Sequence, residues 1–103
     1  MSSTPRNSNV RRWLLDQLSA PGVIRVWIYG SFLKCPATAT DVDVMLQYED
    51  DRMKEVLALR RSVQADFRFE FGLPLHLILL STQEIEQEAT IFRSLLGSAQ
   101  RLR

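Results

Sequence analysis

The residues able to do chemistry gather in one stretch of this chain, with one outlier. Gly30 and Ser31 follow an apolar run, and after a nine-residue spacer Asp41 and Asp43 stand at i and i+2 around Val42. Lys34 lies three positions after the serine, and the single histidine, His76, sits in a later apolar run. A glycine at a strand end lets backbone approach a ligand closely, because it has no Cβ. A serine opening a helical turn adds a hydroxyl where free amides attract phosphate. Two carboxylates at i and i+2 on a strand point the same way, which is unfavourable unless a cation neutralises them. A hard divalent ion binds through one or two carboxylates plus substrate phosphates. Together these residues describe a site for a metal–nucleoside triphosphate.

Each residue also has a plainer use. An isolated Asp-x-Asp is most often a solvated strand face, and a single glycine most often a turn. A lone lysine is usually solvated, and a lone histidine usually a hydrogen-bonded, partly buried side chain. It is the combination, at this spacing and between two apolar runs, that outweighs those readings.

The elements that must position these residues follow from hydrophobic patterning. Val10, Trp13, Leu14 and Leu18 recur at helical spacing, with Asn9 as a cap and Pro21-Gly22 as a stop. The preceding residues 1–9 read as a flexible N-terminal arm. Val23–Tyr29, β-branched and aromatic, reads as a buried strand. A short helical turn through Phe32, Leu33 and Lys34 is expected next. Thr40–Leu46 alternates, with Asp41, Asp43 and Met45 on one face and Val42, Val44 and Leu46 on the other. A helix is expected from about Asp51 to Asp66, burying Met53, Val56, Leu57 and Leu59. Phe67-Arg68-Phe69-Glu70-Phe71 fits either the end of that helix or a short strand, and its three phenylalanines either core or a partner surface. Leu75–Leu80 reads as a third strand. Ser81 with Glu84 forms a capping box for a last helix whose apolar stripe is Ile85, Ala89, Phe92 and Leu96.

This order predicts a small α/β (α+β) domain over residues 10–97, with a three- to four-stranded mixed sheet, about four helices and a basic C-terminal tail, 98–103. The sheet is expected to be mixed because about ten residues join the first two strands, fewer than a parallel crossover needs.

The segment Trp27–Gln47 resembles the minimal nucleotidyltransferases of the DNA polymerase beta superfamily, whose signature is Gly-Ser, a spacer of this length, then Asp-x-Asp among apolar residues. The order of elements from Val10 to Leu96 agrees with that family's core. The resemblance implies that Gly30, Ser31 and Lys34 take the nucleotide phosphates and that Asp41 and Asp43 hold Mg²⁺ or Mn²⁺. It implies transfer of a nucleoside monophosphate, with ATP the first donor to expect, to a hydroxyl of a protein or RNA acceptor. Relatives of this size are often antitoxins that modify or bind a HEPN-type toxin, and a homodimer is a further way to complete the site. Two departures stand out. Cys35 replaces a common glycine, and His76 takes the place of a third carboxylate. His76 would then serve as a nitrogen ligand or general base, imidazole suiting Mn²⁺ or Zn²⁺ better than Mg²⁺. Glu70 is a remote substitute. The alternative is a catalytically weakened binding module acting through complex formation with a partner protein.

Composition sets the outer limits. In 103 residues, 13 basic against 12 acidic side chains exclude nucleic-acid binding by bulk charge. Arg6, Arg11, Arg12, Arg93, Arg101 and Arg103 leave room for a local RNA-guiding patch if the two ends converge. No apolar run nears the roughly 18 residues of a membrane span, and the polar N-terminus does not read as a signal peptide. One cysteine, Cys35, excludes an intramolecular disulfide and fits a reducing, cytoplasmic setting.

Overall fold

The computed structural model describes residues 5–103, and the first four residues of the expected arm lie outside them. The three apolar runs form strands β1 (Val23–Tyr29), β2 (Val42–Tyr48) and β3 (Leu75–Ser81). A fourth, two-residue strand, β4 (Gln100–Arg101), completes a sheet of order β3-β2-β1-β4. β1 runs antiparallel to β2 and β4, whereas β2 and β3 are parallel. The sheet is therefore mixed, as the short β1–β2 connection requires. The C-terminal segment is not a free tail. Arg101 pairs with Trp27, and the Leu102 amide donates to the Val26 carbonyl at 2.7 Å.

Five α-helices accompany the sheet among the described residues: α1 (Pro5–Leu18), α2 (Ser31–Lys34), α3 (Met53–Phe71), α4 (Thr82–Gln87) and α5 (Ala89–Leu96). α1 starts four residues before the expected cap, Asn9. Proline suits the first turn of a helix, since its missing N–H has no partner there anyway. Asn7 is buried, and its Oδ1 accepts from Arg11 Nε at 2.7 Å. Residues 5–9 thus belong to the helix rather than to an arm. α3 runs through the ambiguous Phe67–Phe71 stretch and ends at Gly72, whose φ of 70° supplies the left-handed cap. Ser81 forms the expected capping box: its Oγ accepts from the Glu84 amide, and its own amide donates to the Glu84 carboxylate. The last helix breaks at Glu88, which makes five helices of the expected four.

Alternation divides the sheet into two faces. Val26, Ile28, Val42, Val44, Leu46, Leu75 and Leu77 are buried in one core cluster with Val10, Leu14 and Leu18 of α1 and Val56, Val63 and Phe67 of α3. Met53 and Leu57 are exposed, contrary to the sequence expectation. The buried stripe of α3 is instead Val56, Val63 and Phe67, which fall on one side of the helix, with Leu59 packed at its margin. Ile85, Ala89, Phe92 and Leu96 do not enter the core either; they line an open groove of about 420 Å³.

Candidate functional site

The opposite sheet face carries Tyr29 of β1, Asp43 of β2 and His76 of β3 in adjacent positions, because the register pairs Asp43 with both. Asp41 lies one residue before β2. Its loop is anchored by buried Ala39 and by Cys35, whose carbonyl accepts the Thr38 and Ala39 amides. The Val42 amide donates to the Pro74 carbonyl at 3.1 Å, tying the start of β2 to the start of β3. Two strands from distant parts of the chain are thereby held in one register at the point where the carboxylates and the imidazole meet.

Gly30 fits this place for two reasons. Its φ of 79° and ψ of −157° lie in a region open essentially to glycine alone. A Cβ added there would stand 2.5 Å from Asp43 Oδ2. The bare glycine thus lets the strand end lie against the carboxylate. Ser31 begins α2, and its hydroxyl donates to Asp41 Oδ1 at 3.5 Å, the outer limit for a hydrogen bond.

His76 Nδ1 lies 3.1 Å from Asp43 Oδ1 and 3.7 Å from Asp41 Oδ2. A carboxylate only accepts hydrogen bonds, so Nδ1 carries the proton and Nε2 keeps its lone pair in the neutral ring. One ligand atom from each of Asp41, Asp43 and His76 lies within 4.8 Å of the other two. Both aspartates are partly buried and His76 is exposed, which leaves the cluster open to solvent on one side. Two carboxylate oxygens, converging and accessible, fit a divalent cation, and the Nδ1–H of His76 fixes one of the two carboxylates from the side.

Two expected members stand apart. Lys34, exposed at the end of α2, makes no ion pair with the cluster among the described residues. Glu70 lies on the exposed surface of α3 and is not part of the cluster. Cys35 is exposed and free. Arg101 and the described arginines of α1 lie on opposite sides of the sheet. Arg101 shares the face of the cluster with Trp27 through strand pairing, whereas α1, which carries Arg11 and Arg12, packs on the other.

Tyr29 is a neighbour that the sequence did not single out. Burial raises its hydroxyl pKa above the usual tyrosine value, and the charge of Asp43 adds to the effect. Tyr29 is therefore a neutral phenol at physiological pH beside the carboxylate. Only the β1–β2 register reveals the contact, since in sequence Tyr29 is simply the last residue of an apolar run.

Comparison with protein-family models, with curated proteins and with solved structures yields no match to this chain.

Proposed function

We propose that this chain is a minimal nucleotidyltransferase that binds a metal–nucleoside triphosphate, ATP first among candidates, at the Gly30–Asp43–His76 end of the sheet. The observation that carries the reading is the approach of Gly30 to Asp43 beside the Asp41–Asp43–His76 cluster. It joins a glycine-opened strand end to a cation-binding group. Asp41 and Asp43 would hold Mg²⁺ or Mn²⁺, which supplies charge neutralisation for the phosphates. Gly30 and Ser31 border the space where those phosphates would lie. His76, oriented by Asp43 through Nδ1, presents Nε2 as the base for the acceptor hydroxyl. The acceptor oxygen bonds to the α-phosphorus, the bond from that phosphorus to the bridging oxygen breaks, and pyrophosphate leaves with the electron pair. The hydroxyl proton passes to Nε2.

Calorimetry with ATP, GTP, CTP and UTP, in Mg²⁺ and then Mn²⁺, tests the pocket without knowledge of the acceptor. The expected result is metal-dependent binding that Asp43→Ala abolishes. Absence of binding under every condition would overturn the reading for the isolated chain. Transfer of label from an α-labelled triphosphate then tests His76. His76→Gln should retain nucleotide binding and lower transfer by about 10²-fold or more, the usual scale of a general base.

One observation favours a second reading, a binding module that works by complex formation. A histidine stands at the register position opposite Asp43 where the family would place a carboxylate. On that reading His76→Asp raises transfer; on the first it lowers it.

A further inference from the structure

We propose that the outer edge of β3 joins two copies of this chain, antiparallel about a two-fold axis, into one continuous eight-stranded sheet. The inference goes beyond the nucleotide reading and does not rest on it. β3 is the edge strand of the sheet and is seven residues long. Its sequence, Leu-His-Leu-Ile-Leu-Leu-Ser, contains no lysine and no proline, and its register with β2 runs without a bulge. Lysines, prolines and bulges are the devices that normally blunt an exposed edge.

The free hydrogen-bonding groups can be placed. In a parallel pair, alternate residues turn their amide and carbonyl toward opposite sides. The Pro74 carbonyl accepts from Val42 of β2, so even-numbered residues face β2 and odd-numbered ones face outward. Two side-chain contacts agree with this. Gln64 Nε2 donates to the outward Leu75 carbonyl at 2.9 Å, and the outward Ser81 amide donates to Glu84 Oε1 at 2.9 Å. Both ends of the edge are thus occupied by the chain's own side chains. Between them, Leu77 and Leu79 turn amide and carbonyl outward.

That window is self-complementary. Leu77 opposite Leu79 of a second copy exchanges two hydrogen bonds, and the symmetric pair exchanges two more. Ile78 then faces its own copy across the axis. It is 43% exposed on the sheet face that carries His76, and the pairing would cover it. His76 falls opposite Leu80, so no like charges meet. The two Asp41–Asp43–His76 clusters come to lie on one face, with their His76 Cα atoms about 14 Å apart at ordinary strand spacing.

Sedimentation velocity on the full chain, from low to high micromolar concentration, should show a dimer. Ile78→Lys, which sets two cations opposite each other, should shift it to monomer while the far-ultraviolet circular dichroism stays unchanged. A cross-link supplies an arm independent of that variant's fold. In a Cys35→Ser background, Ile78→Cys places two thiols in a non-hydrogen-bonded antiparallel pair, where Cα atoms are about 4.5 Å apart and a disulfide fits. Mild oxidation should give a covalent dimer, and Ser62→Cys on the exposed side of α3 should not. Two outcomes would overturn the proposal. One is a wild-type monomer throughout the concentration range. The other is an Ile78→Cys variant whose thiol reacts with thiol reagents yet does not cross-link.

Discussion

At the level of single residues, Gly30 is the position with the least freedom to change. Its backbone lies where a side chain is strained, and the space a Cβ would fill is taken by Asp43. Gly30→Ala therefore has two separable effects. Backbone strain should cost about 1–3 kcal/mol of stability, the usual scale for such conformations. Displacement of the Asp43 carboxylate should weaken Mn²⁺ binding by about tenfold or more, equivalent to about 1.4 kcal/mol or more. Thermal unfolding and metal titration, run on the same protein, measure the two separately. A variant that loses stability but keeps its metal affinity would show that the glycine serves the turn alone. The carboxylate pair was legible in the sequence because a period of two places Asp41 and Asp43 on one strand face. The Asp43–His76 contact was not, because it depends on how β2 and β3 align, and the residue counts in the intervening helix do not determine that alignment.

At the level of elements, the Phe67–Phe71 stretch shows why a short pattern fails. Three phenylalanines at alternate positions satisfy a strand period, and Phe67 with Phe71 also satisfies a helical i, i+4 spacing. The structure selects the helix, and Trp13 of α1 is the reason. Its ring lies 5.5 Å from Phe67 and 5.8 Å from Phe71, edge-on to both, so the helical pair closes the α1–α3 contact. Phe69 points away and is 92% exposed. Phe67→Ala should cost about 3–5 kcal/mol, the usual loss for a buried aromatic, whereas Phe69→Ala should fall within about 0.5 kcal/mol of wild type. Urea denaturation of the two variants compares them directly, and equal losses would contradict this packing. The capping box at Ser81 was readable because its signal is local. β4 was not readable, since two residues held by backbone hydrogen bonds to β1 leave no mark in side-chain pattern. The stripe of α3 was read too broadly for a related reason. Met53 and Leu57 sit at helical spacing with each other, yet they lie roughly 60° and 100° round the helix from Val56, outside the arc that meets the sheet.

At the level of the whole molecule, the two faces of the sheet are used differently. α1 and α3 cover one face, and the Asp41–Asp43–His76 group stands on the other. An ion held by the two aspartates would fix Asp43 in place, and with it the Asp43–His76 contact that ties β2 to β3 between residues 33 apart in sequence. β1 and β2 pair through a short connection, so their closure costs little loop entropy, while β2–β3 pairing closes a longer loop that holds the whole of α3. Asp41 and Asp43 thus stand on the strand pair with the shorter connection, and His76 joins them across the longer one. Opening of β3 should in turn be the local unfolding event that a bound cation suppresses. In native-state hydrogen exchange, metal-free and Mn²⁺-loaded protein should differ most at the amides of Val42, Val44 and His76, which join β2 to β3, and least in α1. Uniform protection across both layers would mean that the sheet opens as one unit. Selective protection would mean that the cation acts as a fastener, closing a strand that the fold by itself leaves free to exchange.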